Sequence, residues 1–204
     1  MYHIKEDNLY LIPTAEVPLT NIYRNKLLNE KELPICMTGY TPCFRREAGS
    51  YGANVRGLNR LHQFDKVEIV RIEKPDNSRG ALSGMVDHVK NILTELELPY
   101  RVLKLCGGDL GFTSALTFDF EVYSAAQERW LEVSSVSTFN SFQAERLKIR
   151  YKDGKGKKAL VHTLNGSSLA IPRVVAGLLE NFQVKGGIRM PKALIAYTGF
   201  EMID

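Results

Sequence analysis

The residues best suited to chemistry in this sequence flank a loop rich in glycine and arginine, Ala48–Arg60. Cys43–Glu47 precedes the loop and His62–Glu68 follows it, which predicts a β-hairpin with a long basic tip. Residues two apart in a strand share a face. One face of the hairpin therefore carries an arginine, an aromatic ring and two carboxylates: Arg45, Phe64, Glu47 and Glu68.

This set of side chains is suited to binding a nucleotide and an amino acid together. An arginine binds a phosphate or carboxylate with two hydrogen bonds, an aromatic ring stacks on a base, and a carboxylate accepts hydrogen bonds from an amino group. Any one of these charged residues could instead belong to the solvated face of a half-exposed sheet. Their combination on one face favours a binding site.

A second cluster, Trp130–Ser137, places a carboxylate in a largely apolar stretch that ends in hydroxyl groups. Glu132 and Ser135 offer the hard oxygen ligands that Mg²⁺ uses beside a polyphosphate. In a regular strand Glu132 and Ser134 share a face while Ser135 points away. A bulge or strand end near Ser134 is therefore required if Glu132 and Ser135 act together. The serines are also ordinary residues for a turn at the end of a strand.

A third cluster, Thr163–Arg173, leads into an apolar segment with helical spacing. Pro172 suits the first turn of that helix. Arg173 would lie near the helix start, where backbone N–H groups and the helix dipole favour an anion such as a terminal phosphate. Three side chains are candidates for capping the helix: Asn165, Ser167 and Ser168.

The elements that must position these clusters are mostly strands that follow one another. Residues with helical spacing of apolar side chains predict two helices, Ser78–Leu96 and Leu169–Phe182. Since the strands cluster and do not alternate with helices, we expect an α+β fold with an antiparallel sheet and helices on one side. The predicted strands are Thr41–Glu47, Leu61–Ile72, Tyr100–Leu105, Thr117–Tyr123, Trp130–Ser134 and Ala193–Tyr197.

Composition narrows the class of protein. The 204 residues are 44% hydrophobic and 25% charged, which predicts one domain spanning residues 1–204. The sequence has no leader-like segment and no long apolar run, so we expect a soluble, cytoplasmic protein without a membrane partner. A net charge of +4 is compatible with an RNA partner but does not require one. The cysteines are odd in number and form no C-x-x-C pair, which argues against a disulfide framework or structural zinc: Cys36, Cys43 and Cys106.

Taken in order, these segments resemble the catalytic domain of the seryl-tRNA synthetases, which are class II aminoacyl-tRNA synthetases. Leu11–Asn21 is similar to the serine-pocket segment of that family, Thr41–Glu68 to motif 2, and Asn165–Arg173 to motif 3. The resemblance covers nearly the whole chain. It implies an antiparallel class II sheet flanked by helices, and a ligase that uses ATP to form seryl-adenylate.

The resemblance also implies roles for individual residues. Arg45 would hold the serine carboxylate and the α-phosphate, Phe64 would stack on adenine, and Glu47 would take the exocyclic amine of adenine. Arg173 would cover the other face of adenine or reach the γ-phosphate. Catalysis would depend on Arg45, Glu132 and Arg173. The implied serine pocket is formed by Thr14, Ala15, Glu16, Arg45, Glu68 and Ser167. The implied ATP contacts are Arg45, Arg46, Glu47, Phe64, Glu132, Val133, Ser134, Ser135 and Arg173, with Mg²⁺ on Glu132 and Ser135.

The implied partners are L-serine, ATP and the acceptor end of tRNA(Ser), with tRNA(Sec) as a second acceptor, and the full-length protein would be a homodimer. The loop Ala48–Arg60 would face the acceptor end, offering Arg46, Arg56 and Arg60 to its phosphates. The helical tRNA-binding arm and motif 1 of the family are expected before Met1, so we predict weak or no tRNA charging by this chain. The sequence departs from the family pattern at Thr138, Ser168 and Pro172, where a change in the pocket is expected.

Two other functions remain open from the sequence. A ligase that loads an amino acid onto a carrier protein would also lack a tRNA-binding arm, but its family pattern predicts zinc ligands, and no matching cysteine pair accompanies Glu68. A non-catalytic relative could keep the fold as a binding module. In such a protein the phosphate-binding arginines would be lost first, yet Arg45 and Arg173 are both present.

Overall fold

The computed structural model describes residues 1–47 and 57–204. Its helices are α1 Glu16–Asn21, α2 Ser78–Glu95, α3 Phe142–Leu147, α4 Ile171–Asn181 and α5 Lys192–Thr198. Its strands are β1 His3–Ile4, β2 Leu9–Tyr10, β3 Leu27–Asn29, β4 Ile35–Phe44, β5 Gln63–Glu73, β6 Tyr100–Lys104, β7 Leu116–Ser124, β8 Arg129–Thr138, β9 Arg150–Lys152, β10 Lys158–Leu160, β11 His162–Ala170, β12 Gln183–Val184, β13 Gly187–Arg189 and β14 Met202–Ile203.

A six-stranded antiparallel sheet forms the centre of the fold, in the order β4-β5-β11-β8-β7-β6. Helices pack on this sheet, so the predicted α+β class with an antiparallel sheet is confirmed. The strand β11, which contains the third cluster, lies between β5 and β8, which contain the other two. The topology therefore brings together three clusters that are far apart in the sequence.

Helix α2 covers one face of the sheet with a regular apolar stripe. Leu82, Val89 and Leu93 are each at most 2% exposed and share a buried cluster with Val136 and Leu164 of the sheet. Burying a side chain of this size contributes about 1.5–3 kcal/mol relative to leaving it in water. The predicted helix Ser78–Leu96 is thus confirmed to within one residue at its end.

Two local predictions are wrong. The predicted strand Ala193–Tyr197 lies within α5, because a five-residue apolar run does not distinguish a strand from a short helix. The expected capping residues of α4, Asn165, Ser167 and Ser168, lie in β11, and the helix begins after Ala170 without a side-chain cap. Pro172 does lie in the first turn, as predicted. No helix in the described ranges is both long and apolar enough to cross a membrane.

A smaller sheet, β10-β9-β3, lies at the far end of β5. It packs through a second apolar cluster that includes Leu28, Ile72 and Ile149. Along β5 the even-numbered side chains from Lys66 to Ile72 are buried, whereas the odd-numbered ones up to Arg71 are only partly buried. The even-numbered face therefore carries Ile72 at the small sheet, and at its other end the residues of the candidate site described next.

Candidate nucleotide and amino acid binding site

A cleft of about 210 Å³ lies where the hairpin, the middle of β8 and the start of α4 meet. Its walls are formed by fifteen residues, most of them polar: Arg45, Glu47, Leu58, Asn59, Arg60, Leu61, Phe64, Lys66, Glu132, Val133, Ser134, Ser167, Ala170, Pro172 and Arg173. The three sequence clusters thus contribute to a single cavity. Most of the side chains that the sequence predicted to bind ATP line it.

Arg45 and Phe64 form one wall of the cleft. The backbone N–H of Arg45 donates to the carbonyl of His62 at 2.9 Å, which continues the pairing of β4 and β5 beyond Phe44. The guanidinium carbon of Arg45 lies 5.2 Å from the centre of the Phe64 ring, and its Nε donates to the carbonyl of Pro13 at 3.2 Å. A planar cation and an aromatic face are therefore held side by side, as binding a phosphate next to a stacked base requires.

Arg60 and Arg173 complete the cationic side of the cleft. Glu47 and Arg60 form an ion pair at 2.8 Å across the two ends of the loop. Arg173 donates through Nε to the carbonyl of Asn59 at 2.9 Å and through Nη1 to the carbonyl of Glu132. Burial lowers the pKa of the Arg173 guanidinium from its usual high value, and the nearby Glu132 carboxylate opposes that shift. Arg173 stays cationic and is fixed by two backbone carbonyls, so it faces the cleft with its remaining N–H groups.

Strand β8 has a β-bulge at Val133, which changes the faces on which Glu132 and Ser135 lie. Glu132 lies opposite Glu121 and Ser135 lies opposite Asp119, with one extra residue on β8 between these pairs. Since residues 119 and 121 share a face, Glu132 and Ser135 share it too. The bulge therefore aims the carboxylate and the hydroxyl in the same direction, which is the condition that the sequence sets for Glu132 and Ser135 to act together.

Asp119 joins this pair and was missed by the sequence analysis. Asp119 lies directly opposite Ser135 in the pairing of β7 with β8, and its buried Oδ1 atom has no partner among the described residues. Burial raises the pKa of Asp119, and it raises the pKa of Glu132 as well, with the Asp119 charge adding to the second shift. Two carboxylates held close together on one face attract a cation.

The donor set fits Mg²⁺. Glu132, Ser135 and Asp119 are hard oxygen donors, and the orphaned Oδ1 of Asp119 is an acceptor that the protein itself leaves unused. Within the described part of the chain no group of three or more acidic, histidine or cysteine side chains is placed to hold a metal. Mg²⁺ ordinarily binds one or two carboxylates together with substrate phosphates and water. Such a site needs no complete protein cage.

A cluster of polar side chains on and beside β5 adjoins the cleft at Lys66. Glu68 is only 2% exposed, forms an ion pair with Lys66, and accepts a hydrogen bond from the Thr14 hydroxyl at 3.2 Å. Lys66 also donates to Thr14 Oγ1 at 2.8 Å. Burial raises the pKa of Glu68, although the Lys66 ammonium and the Thr14 hydrogen bond act in the opposite direction. The sequence placed Lys66 on this face without assigning it a role.

Other members of the predicted serine pocket lie around this centre. Ala15 is 1% exposed, and the charge of the half-buried Glu16 contributes to the raised pKa of Glu68. Ser167 lies directly opposite Glu68 in the pairing of β11 with β5. Asn165, two residues earlier on the same face, is buried, and its Nδ2 has no partner among the described residues. Asn165, considered only as a helix cap from the sequence, thus carries a buried N–H donor beside Ser167 that no described residue satisfies.

Several predicted residues lie elsewhere or act differently. Ser134 lines the cleft, but its hydroxyl donates to the carbonyl of Ser167 and so ties β8 to β11. Arg46 is exposed and does not line the cleft. Ser168 contacts His88 of α2 at 3.2 Å, so its side chain does not line the pocket as expected. Thr138 is buried at the end of β8, away from the cleft. The predicted tRNA-facing Arg56 lies outside the described residues.

Comparisons with known proteins agree with this geometry. The sequence profile of the tRNA synthetase class II core domain (G, H, P, S and T) matches residues 2–182. A serine--tRNA ligase of Salinibacter ruber is 58% identical over 205 residues, and one of Akkermansia muciniphila is 53% identical over 204 residues. Each alignment covers 100% of this chain and 48% of the relative, so the chain spans about half the length of these curated relatives.

Two solved structures have the same fold. The seryl-tRNA synthetase from Pyrococcus horikoshii complexed with ATP superposes with a TM-score of 0.95 at 41% identity, covering 99% of this chain and 46% of that one. The cytoplasmic serine-tRNA ligase from Naegleria fowleri in complex with AMP gives 0.89 at 31% identity, covering 96% and 46%. With its profile match, antiparallel sheet and polar cleft, this chain belongs to the family of class II tRNA synthetase core domains.

Proposed function

We propose that this chain is the catalytic core, residues 1–204, of an enzyme that activates L-serine with ATP and transfers it to the 3′ end of tRNA(Ser). One observation carries the proposal. Lys66 lines the cleft that holds Arg45, Phe64, Glu132 and Arg173, and it forms an ion pair with the buried carboxylate of Glu68 just behind the wall. A nucleotide and a small amino acid can therefore bind side by side.

The reaction needs no nucleophile from the protein. An oxygen of the serine carboxylate attacks the α-phosphorus of ATP, the bond to the bridging oxygen breaks, and pyrophosphate leaves. Arg45 would hold the attacking carboxylate and the α-phosphate, while Phe64 stacks on adenine and Glu47 accepts from its amine. Arg173 would neutralise charge on the departing phosphates. The rate gain comes from positioning and from fixed positive charge on the phosphoryl oxygens.

The amino acid pocket would select serine through its polar lining. Glu68, Glu16 and Thr14 would accept or donate hydrogen bonds to the substrate ammonium and hydroxyl, with Asn165 and Ser167 completing the pocket opposite Glu68. A pocket built to hydrogen-bond a hydroxyl rejects the analogue that lacks it, because its buried polar groups are then left unpaired. Alanine would therefore be a poor substrate.

A magnesium ion would bind at Glu132 and Ser135, with Asp119 beside them. Bound there, Mg²⁺ would neutralise phosphate charge and orient the polyphosphate. The carboxylate of Glu132 is open to the cleft and makes no ion pair with a described residue, so it is available for this contact.

The comparisons support the proposal for the whole protein. Its relatives are named serine--tRNA ligases, and neighbouring solved structures are described with ATP and AMP. We propose that the full-length protein is a cytoplasmic homodimer and that the acceptor end of its tRNA approaches the loop between β4 and β5.

Serine-dependent ATP–pyrophosphate exchange tests the proposal. We expect exchange with serine and little with alanine, threonine or glycine. Arg45→Ala should lower the exchange rate by about 10²–10³-fold, the usual effect of removing a group that stabilises developing charge. Arg79→Ala removes an exposed arginine of α2 and serves as the matched control.

Exchange with threonine or glycine but not serine would overturn the substrate assignment. An equal loss in Arg45→Ala and Arg79→Ala would show that Arg45 has no special role. Calorimetric binding of a seryl-sulfamoyl-adenosine, a stable mimic of seryl-adenylate, provides a second readout that needs no turnover. A wild-type chain that neither exchanges nor binds this compound would contradict the proposed function.

A further inference from the structure

A hydrogen-bonded chain of side chains lies behind the proposed serine pocket and joins three elements. Gln143 of α3 donates through Nε2 to Oε1 of Glu16 at 2.6 Å. The hydroxyl of Thr163, on β11, donates to Oε1 of the same Gln143 at 2.7 Å. Thr163 is completely buried, whereas Gln143 and Glu16 are half-buried. These two hydrogen bonds thus connect the interior of the sheet to the carboxylate of Glu16 in the proposed serine pocket.

Chemistry fixes the direction of this chain. An ionised carboxylate only accepts hydrogen bonds, so the NH₂ end of the Gln143 amide must face Glu16. The carbonyl end then faces Thr163, whose hydroxyl must donate to it. Since the buried Thr163 hydroxyl fixes the amide, the amide in turn fixes one oxygen of Glu16.

Holding Glu16 in place matters because another carboxylate is close. The charge of Glu16 contributes to the raised pKa of Glu68, so the two acids interact across the pocket. The backbone of Glu16 is held separately: its N–H donates to Thr14 Oγ1 at 3.2 Å and its carbonyl accepts from the Thr20 hydroxyl, but neither bond fixes the side chain. Among the described residues, Gln143 makes the hydrogen bond to its carboxylate. Without the amide, the side chain of Glu16 is free to take other rotamers.

We propose that Gln143 is a positioning residue for serine recognition, which acts by fixing the carboxylate of Glu16 towards the amino acid. This inference rests on the proposed function, because Glu16 must contact the substrate. Gln143 itself touches Glu16 and Thr163 and not the reacting atoms. Its loss therefore affects binding of the amino acid and leaves binding of ATP unchanged.

A double-mutant cycle tests the inference by ATP–pyrophosphate exchange. Gln143→Met keeps the length of the side chain and removes the amide. We expect it to raise the serine KM by about tenfold or more, as for loss of a hydrogen bond to a charged group, with the ATP KM unchanged within about twofold. In the Glu16→Gln background the same change should have almost no further effect, because the partner charge is already absent.

Two more variants separate positioning from general damage. Thr163→Val removes the hydroxyl that orients the amide and should raise the serine KM less than Gln143→Met, again without affecting ATP. Gln183→Met replaces an exposed glutamine of β12 and should change neither KM. The thermal midpoint of every variant is recorded to verify that each is folded.

Additive effects of Gln143→Met and Glu16→Gln, or equal rises in the serine and ATP KM values, would overturn the inference and leave the proposed function intact. Binding of the seryl-sulfamoyl-adenosine by calorimetry repeats the cycle without turnover. If the wild-type chain fails both to exchange and to bind this compound, the proposed function is wrong and the inference is wrong with it.

Discussion

The two faces of the six-stranded sheet bury opposite kinds of side chain: one buries apolar groups and the other buries charged ones. Beneath α2, side chains such as Val89 and Leu93 are fully buried and apolar, so each one adds to stability. In and around the cleft, Glu68, Asp119 and Glu132 are carboxylates whose pKa values are raised, chiefly by burial. Burial disfavours the ionised form of each of these groups, and at Glu68 the Lys66 ammonium offsets part of that penalty.

The residues that stabilise the fold are therefore different from the residues that form the candidate site. Unpartnered polar atoms, such as Oδ1 of Asp119 and Nδ2 of Asn165, occur in the candidate site and not beneath α2 within the described residues. Buried polar groups without partners are rare in folded proteins, and an ordered water, an ion or a catalytic role accounts for those that occur. We therefore expect substitutions on the α2 side to change stability, and those at the cleft to change binding.

The largest loss of stability is expected from the apolar side. Leu93→Ala removes a fully buried side chain of α2 and leaves a cavity, which should lower the free energy of unfolding by about 2–5 kcal/mol. Urea denaturation measures the effect. Asn91→Ala, at an exposed position of the same helix, is the control and should be nearly neutral. A similar loss in both variants would show that α2 does not stabilise the fold through its apolar stripe.

Lys66→Met tests whether the buried ion pair on the cleft face of the sheet contributes to stability. The substitution leaves the Glu68 carboxylate buried without its cation, which should cost about 3 kcal/mol at neutral pH. The cost should shrink as the pH falls, because protonated Glu68 no longer needs a cation. Adding Glu68→Gln should restore most of the lost stability, since the double variant has no buried charge. A loss that persists in the double variant would contradict an electrostatic origin.

Gly166→Ala probes the packing where β11 pairs with Val136 of β8, close to the bulge at Val133. A Cβ at this position would lie 2.8 Å from Cγ2 of Val136 and 3.3 Å from the carbonyl oxygen of Ser135. We expect a loss of about 1–3 kcal/mol from overpacking, together with weaker binding at the cleft. Gly84→Ala, on α2 with open space around it, is the matched control and should stabilise by up to about 1 kcal/mol. Equal effects of the two changes would exclude a steric role for Gly166.

The sequence predicted elements wherever a local pattern was long and regular. The apolar spacing of α2 located that helix. The strand parity of Glu132 and Ser135 indicated that a bulge or a strand end must lie near Ser134 if the two act together, and the structure has a bulge at Val133. Short stretches gave wrong predictions, as at α5, where a helix was predicted to be a strand. The strand predicted to end at Ser134 continues to Thr138, because its hydroxyl-rich end pairs with β7 and β11 and does not form a turn.

Side chains that depend on distant partners were the ones missed. Lys66 gains a role only because Thr14, 52 residues away, lies beside it. Gln143 and Glu16 are separated by 127 positions, so no local pattern links them. Asp119 is one acid in an ordinary alternating strand until the bulge of β8 places Glu132 on its face. Such roles follow from topology, which a single sequence specifies only indirectly.

The smallest expected effect has the opposite sign from the others, and it separates stability from function at one residue. Glu132→Gln removes a carboxylate whose pKa is raised above its ordinary value of 4.5 by burial and by Asp119. Between the unfolded and folded pKa values the folded chain keeps a proton that the unfolded chain releases, so the stability of the wild type falls as the pH rises through that window.

The neutral glutamine lacks this penalty, so Glu132→Gln should be more stable than the wild type by about 0.5–1 kcal/mol at pH 7.5, with a difference that vanishes below about pH 4.5. The cleft walls around Glu132 desolvate its carboxylate, but the residue still exposes surface to solvent, which screens the charge and keeps the gain small. Denaturation from pH 4 to 8 measures it, with Glu201→Gln at an exposed site as control. Serine-dependent exchange should be lost in the same variant. If the variant is instead less stable at pH 7.5, the Glu132 carboxylate stabilises the fold and is not held there for a ligand.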